Sequence, residues 1–570
     1  MRRIIGLTLI VLLTLLAPLA EQVRDGLWQS YQAYITPFAG PLPAGALRPP
    51  LAPRVVLLLV HGLRLDASNQ MPSLNALRGR GADIIIESPP PTFRLPATFG
   101  WISGATPDAH GVTTNDSPRM ALPDNLFESL QAASRPVAIV GSSSLYALLE
   151  GTAQRVEITD EDDPALSDQQ AVNRALQVLR DPQQQPAFML IEFNLLEDVA
   201  RKDPPAYPSA AAATDVRIQS IVDVLDLSNS AVVVLSDRGL NAAGHDGGDE
   251  PEIARAPMVL AGAGVLPDVQ AIAPQSSIAP TLAELAGTPI PLHAEGAPIF
   301  AALQADATLP MASARQLTAF YEQWSEVVQQ PRFAAPLLTQ YEAQLQAGDM
   351  SAYTRWQAAL QTNVQQATAA RLSDERWSRL PFVSGMAVML IALSALMLGS
   401  RPALPLLGLG LYGVIAMLGF FALRGFSLSL TLFVDGRPAE FLAAYEKSAA
   451  LWMALAAGIV ALLTVQHDDV LDAIASVMVT LGLIALANVA VFVWFYWQWG
   501  DAFVWKLPAA SQLVAVMLAL THLGAFSLPL SPALPDIPIA LPLVVFTAIV
   551  FALTGGMRVK QRGDFTSEYR

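Results

Sequence analysis

The sequence predicts an α/β domain with a mostly parallel sheet flanked by helices, followed by a helical stalk and a multi-span α-helical membrane domain. Three observations predict it. Between residues 50 and 300, short apolar runs alternate with amphipathic stretches, the pattern of strands connected by crossover helices. Only 15% of the 570 residues are charged while 53% are hydrophobic, where soluble domains carry about 25% charge. The apolar excess is gathered into long blocks after Pro381.

Residues 1–20, MRRIIGLTLIVLLTLLAPLA, join two arginines to an apolar run, which reads as a signal anchor or a removed signal peptide. Either sends the following chain across the membrane. Residues 21–50 read as a linker. Residues 51–307 form the α/β domain, with buried-strand candidates at Arg54–Val60, Val137–Val140, Phe188–Phe193, Ala231–Ser236 and Met258–Leu260. Helical stretches at Met71–Arg80, Asp168–Arg180, Asp215–Leu225 and Ile278–Leu285 lie among them. Residues 308–380, rich in Ala, Gln and Leu, read as a stalk of two or three amphipathic helices.

Residues 381–557 hold about six apolar blocks, at 382–399, 403–423, 447–465, 472–496, 508–530 and 538–556, each near the length that spans about 30 Å of hydrocarbon. Six spans after an external domain would leave the basic tail 558–570 outside, against the positive-inside tendency. One remedy is that Gly425–Val434 belongs to a broken or re-entrant helix. The expected location is therefore a cell membrane, with several spans and the large N-terminal domain on the extracytoplasmic side.

The 34 basic residues are outnumbered by 49 acidic ones, a formal charge of −15. Such a chain lacks the basic surplus that displaces counterions from a nucleic-acid backbone, so the lipid bilayer is an expected partner and nucleic acid is not. With no cysteine there are no disulfides, thiolate zinc sites or cysteine nucleophiles. A metal would have to rest on His, Asp or Glu.

The polar residues of interest follow strand ends, where ligands bind in sheets of this kind. Four segments carry them: RVVLLLVHGLRLDA from Arg54, PTFRLPATFGWISGATPDAHGVTTND from Pro91, VVVLSDRGLNAAGHDGGDEPEIARAPMVLAGAGV from Val232 and IAPTLAELAGTPIP from Ile278. Their order and separations resemble the alkaline phosphatase superfamily over most of residues 54–300. The resemblance is particularly to type I phosphodiesterases and nucleotide pyrophosphatases, with sulfatases and glycolipid ethanolamine-phosphate transferases as further relatives. It implies phosphoryl or sulfuryl transfer by a Thr or Ser nucleophile between two metals, usually zinc, that stabilise the attacking and leaving oxygens.

The chain departs from that pattern. His61 stands where the family has an Asp after its first strand, and Arg94 falls at the nucleophile position of P-T-x-[ST]-x-P. Arginine cannot attack phosphorus. In the segment matched to D-x-x-G-H, Glu197 replaces Asp and Arg201 replaces the ligand His, while Asp237-Arg238 replaces Asp-His. His245 matches the last histidine, with an insertion around Asp246, and Asn115 matches the Asn that contacts the transferred phosphate. His110 matches a turn histidine, and His293, His467 and His522 have no clustered partners.

Deleting two zinc ions would leave buried carboxylates repelling one another. Arg94, Arg201 and Arg238 supply +3 against Glu197 and Asp237, so the substitutions compensate one another. The expectation is a pseudoenzyme with no cofactor and no confident catalytic residue. Its pocket is closed by salt bridges and binds through Arg94, Asn115, Arg201 and Arg238 an anion such as phosphate, sulfate or carboxylate, or else a protein partner; a purely structural ion-pair network is the plainer reading. The competing enzyme reading is an altered metal-dependent phosphodiesterase, phosphatase or phosphoethanolamine-type transferase. It keeps His61, Glu197, Asp237 and His245 as ligands of one zinc or manganese, with Thr92 or Thr98 as nucleophile. A third class is a membrane assembly or transport component.

Overall fold

A computed structural model of the chain describes residues 2–38, 40–42, 45, 47–117, 124–181, 185–399, 402–425, 427–465, 470–500 and 503–527. Among these residues the N-terminal domain is built on one mixed eight-stranded sheet, in the order β4-β3-β5-β1-β6-β7-β2-β8. The strands are β1 Arg54–Val60, β2 Gly81–Glu87, β3 Val137–Gly141, β4 Arg155–Ile158, β5 Phe188–Phe193, β6 Ser230–Leu235, β7 Arg255–Gly262 and β8 Val269–Pro274. β1 lies between β5 and β6, parallel to both. Only β7 runs against its neighbours β6 and β2.

β1, RVVLLLV, is buried at six of its seven positions, as expected for a central strand covered on both faces. Val55, Leu57 and Leu59 pack into one apolar core and Val56, Leu58 and Val60 into another, because successive side chains point to opposite faces. β1 and β5 have the bounds expected from sequence. β2, β4 and β8 were not foreseen: β8 alternates half-exposed residues at an edge, and β4 is four half-buried or exposed residues long.

Residues 308–380 do not stand free. Helices α4 (Leu309–Val328) and α5 (Ala334–Gln346) and the first turns of α6 (Met350–Leu398) cover one face of the sheet. Leu317, Phe320, Tyr321, Trp324 and Val328, spaced at helical intervals, join the core that contains Val55 and Leu57. α6 runs on without a break through Pro381 into an apolar stretch. Its 49 residues reach roughly 74 Å at 1.5 Å per residue, so the expected boundary at residue 380 falls inside one helix.

Four helices among the described residues are long and apolar enough to cross a membrane: α6, α7 (Ala403–Arg424), α8 (Ala439–Val465) and α9 (Val470–Trp499). α10, Ala510–Gly524, is shorter, and the expected block at 538–556 lies outside the described residues. α1 continues from Arg2 to Gln32, so residues 21–32 are helix rather than linker. Its Leu13, Ala17, Ala20 and Trp28 are buried in the same core as residues of α8, α9 and α10. Gly425–Val434 is not a re-entrant helix: beyond residue 426 it forms short 3-10 turns at Leu430–Leu432 and Val434–Gly436 that lie against the N-terminal domain.

Candidate functional site

The site forms where β1, β5 and β6 end, with two further helices beside it: α2 (Arg94–Ser103) and α3 (Leu195–Lys202). His61 follows β1 directly, and Gly62 then turns the chain at φ +70°. A Cβ on Gly62 would lie 2.7 Å from Leu240 Cδ1 and 3.2 Å from the Glu197 backbone, so only glycine permits this approach. Glu192 continues the face of Phe188 and Leu190 to the end of β5. Asp237 and Arg238 lie just past the end of β6.

Arg238 is the centre. Fully buried, it donates from Nη2 to Glu197 Oε1 (2.7 Å), from Nη1 to Asp237 Oδ2 (2.7 Å) and from Nε to Asp246 Oδ2 (2.9 Å). Arg201 Nη2 also donates to Glu197 Oε1 (2.9 Å) and Asp246 Oδ2 (3.1 Å), and its Nη1 bonds Asp435. Arg94, at the first turn of α2, donates from Nη2 to Glu192 Oε1 (3.0 Å) and to Asn194 Oδ1 (2.8 Å). Its Nη1 stands 3.7 Å from Glu197 Oε2. The three arginines predicted to face inward therefore meet in one network.

His61 lies between two carboxylates, with Nδ1 2.9 Å from Asp237 Oδ2 and Nε2 2.9 Å from Glu192 Oε1. A neutral imidazole has one N–H, so facing both requires the imidazolium. Burial and the Arg94 charge oppose that charge, yet Asp237 and the two hydrogen bonds outweigh them and raise the pKa to about 9. Burial likewise opposes ionisation of Glu192, but His61, Arg94 and the Ser142 amide bring it down to about 2. Glu197 and Asp237 are also held below the usual carboxylate range, against burial, chiefly by the Arg238 guanidinium.

Four cations, Arg94, Arg201, Arg238 and His61, thus meet five carboxylates, Glu192, Glu197, Asp237, Asp246 and Asp435. Sequence reasoning counted only Glu197 and Asp237 on the acidic side. Glu192 carried a usable signal, a lone carboxylate inside the apolar strand FMLIEF that could not be buried unpaired. Asp246 was read as an insertion, and nothing local marks Asp435, which comes from between two membrane helices.

The threonines considered as nucleophiles are occupied. Thr92 Oγ1 donates to Gly248 O (2.7 Å) and accepts from the Gly247 amide (3.1 Å), holding a turn. Thr98 Oγ1 donates back along α2 to Arg94 O (2.9 Å). Asn115 Oδ1 accepts the Leu95 amide at 2.9 Å and so caps α2, while its Nδ2 donates to Asp435 O at 3.4 Å. His245 is half-buried in a turn in which its amide donates to Asn241 Oδ1 (2.9 Å). His110 is buried beside Phe99 and accepts the Val112 amide on Nδ1. His293 spans Asp124 and Gly40 O, and His522 is buried in the membrane bundle; His467 lies outside the described residues.

A cavity of about 430 Å³ opens over the site, lined by His61, Arg94, Thr98, Asn115, Ser144 and Glu192 among others. The donor set does not fit a zinc or manganese ion. A zinc site needs three or four ligands, but both nitrogens of His61 face carboxylates and Arg238 already fills the space between Glu197, Asp237 and Asp246. Two buried oxygens, Glu197 Oε2 and Asp237 Oδ1, have no hydrogen-bond partner, yet they come from two residues only. Among the described residues no group of three or more His, Asp or Glu is arranged to hold a metal ion, so the expected four-ligand set of His61, Glu197, Asp237 and His245 is not assembled.

No protein-family profile matches the chain. It is similar to GPI ethanolamine phosphate transferase 3, catalytic subunit, of Mus musculus, at 25% identity over 301 residues, 46% of this chain and 27% of that protein. The Homo sapiens protein of the same name is 24% identical over 273 residues, 42% and 25% of the two chains. The chain spans about a quarter of the length of these curated relatives. Similar solved structures include a 2-O GAG sulfatase, at 16% identity, TM-score 0.36, 44% of this chain and 73% of that one. Another is an alkaline phosphatase superfamily protein of Vibrio parahaemolyticus, at 13% identity, TM-score 0.35, 49% and 78%. A third is murine ectonucleotide pyrophosphatase / phosphodiesterase 5, at 10% identity, TM-score 0.36, 42% and 96%. The helix-flanked mixed sheet, the apolar helices and the curated relatives define a membrane protein of α/β class. The chain is similar over part of its length to the GPI ethanolamine phosphate transferases.

Proposed function

We propose that this chain is a metal-free, non-catalytic member of the alkaline phosphatase superfamily that binds an oxyanion of the phosphate or sulfate class instead of cleaving its ester. The observation that carries the reading is Arg238, whose guanidinium contacts Glu197, Asp237 and Asp246 at 2.7–2.9 Å at the position of a metal-ligating histidine. Its fixed +1 charge, with Arg201 and His61 beside it, offsets these carboxylates, but a guanidinium provides no open coordination position and activates no water. Arg94 replaces the nucleophile with a group that holds oxyanions through its planar fork of N–H donors. Its side chain keeps 36% of its surface exposed and lines the cavity.

The test is elemental mass spectrometry on the purified full chain after equilibration with trace zinc and manganese, together with an assay against phosphodiesters and phosphomonoesters. The expected results are near-zero metal and background turnover. One or two tightly held ions per chain would overturn the reading.

The names of the curated relatives favour a second reading, an ethanolamine-phosphate transferase with an altered site. It requires that a phosphoethanolamine group pass from a phosphodiester donor to an acceptor hydroxyl with release of the donor's alcohol, and that a chelator abolish this transfer. We further propose that the large domain faces the extracytoplasmic side, since Arg2 and Arg3 precede the first apolar run and basic flanks stay inside. The chain has no cysteine, so Ala213→Cys on the exposed surface gives a single thiol. An impermeant maleimide should label it on intact cells.

A further inference from the structure

The segment Ser427–Arg437 leaves the membrane bundle between α7 and α8 and lies across the site. Ser429 and Thr431 donate to Glu250 Oε2 at 3.0 and 2.8 Å. Arg437 Nε donates to Asp116 Oδ2 at 3.2 Å, and Gly436 stands against Thr114 and Phe93. At the tip, Asp435 adopts φ +54°, a conformation uncommon for a residue with a side chain. From there its carboxylate reaches Arg201 and its carbonyl accepts from Asn115 Nδ2.

We infer that Asp435 is a tethered carboxylate standing in for the oxyanion, so that the membrane-domain segment competes with a free phosphate or sulfate for Arg201 and Asn115. The inference rests on the anion-binding reading above. A carboxylate and a tetrahedral oxyanion make the same charge-assisted hydrogen bonds to a guanidinium, which is why one displaces the other. With Asp435 docked, Arg201 Nη1 and Asn115 Nδ2 are engaged by it; when it lifts, each regains a free donor. Arg201 Nε is a third donor, buried and without a hydrogen-bond partner. Behind the tip, Phe433 is fully buried and meets Trp28 of α1 edge-on at 5.3 Å, so movement of the tip is felt in the membrane bundle.

The experiment is equilibrium binding of inorganic phosphate to the full chain in lipid nanodiscs, comparing wild type, Asp435→Asn and Arg437→Ala, with sulfate as competitor. A docked segment lowers apparent affinity by the fraction of molecules in which it is lifted, so Asp435→Asn should bind about tenfold tighter than wild type or better. Arg437→Ala, which removes only an exposed tether, should fall between the two and gives the answer if Asp435→Asn misfolds. Equal affinity in all three would overturn the competition while leaving the anion site standing. Absence of phosphate and sulfate binding in all three would overturn the anion site itself. Repeating the titration with phosphatidic acid in the nanodisc distinguishes a lipid headgroup, which would then block free phosphate, from a soluble ion.

Discussion

Arg238 and Glu197, 41 positions apart, meet at 2.7 Å between Nη2 and Oε1, with the guanidinium wholly withdrawn from water. A buried pair of this kind gives little net stability over an apolar replacement of both partners, but losing one partner is costly because the other is left charged and unpaired. Arg238 also serves Asp237 and Asp246, so its removal strands three carboxylates at once.

Arg238→Met should therefore destabilise the N-terminal domain by about 3–5 kcal/mol, the usual cost of breaking a buried ion pair. Arg238→Lys should recover only a fraction, since a single ammonium cannot reproduce the three-way fork. Denaturant unfolding in detergent, followed by tryptophan fluorescence, measures both. A loss below about 1 kcal/mol, the typical scale of any substitution, would mean the cluster is held together by other contacts.

His61 makes the domain sensitive to alkali. Its folded pKa is raised from 6.5 to about 9, so the folded state binds the proton more tightly than the unfolded state. That contribution is complete below pH 6.5 and is lost as pH rises through 9. Melting temperatures recorded from pH 6 to 10 should fall over this window, and the fall should be shallower in His61→Gln. Glu192, depressed to about 2, acts at the other end: its contribution is present above pH 4.5 and lost as pH falls towards 2.

Chelation should leave stability unchanged. A tightly bound ion stabilises the folded state by RT ln(1 + [L]/Kd), so stripping it from a zinc enzyme lowers the melting temperature. Here the cation between the carboxylates is covalently part of the chain. Millimolar EDTA should not shift the melting curve, and a drop of several degrees would restore the metal reading.

The N-terminal helix should remain attached in the mature protein. Arg24 Nη1 lies 3.6 Å from Glu446 Oε2 of α8. The Thr113 hydroxyl donates to Tyr31 O at 2.6 Å, and Trp28 packs on Phe433. Cleavage after residue 20 would remove the buried Leu13, Ala17 and Ala20 from the bundle. Intact mass spectrometry of the purified protein should find residues 2–20 present.

Much of this was legible before any coordinates. β1 and β5 are bounded by the change from dense apolar runs, interrupted in β5 by Glu192, to His61-Gly62 and to Asn194, which is the signature of strands buried on both faces. Arg94, Arg201 and Arg238 were recognisable as compensating charges because the resemblance sets each of them at a motif position. Glu192 is a carboxylate inside a strand that otherwise reads as apolar, and residues 308–380 read as a stalk although the aromatic spacing of Leu309–Val328 belongs to the sheet's core. Asp435 was beyond reach: it lies 234 positions from Arg201, in a segment with no local pattern that names its partner.

The sequence by itself determined the class of fold and the presence of long apolar helices, because those follow from periodicity and composition; that arginines stand at nucleophile and ligand positions is what the resemblance implies. The tertiary structure decided which charges meet. Hydrogen bonding and ion pairing act over a few ångströms, and parallel strands bring together residues from distant parts of the chain. Arg238 could be counted from the sequence, but its three carboxylates, the double engagement of His61 and the intrusion of Asp435 from the membrane domain exist only once the chain has folded.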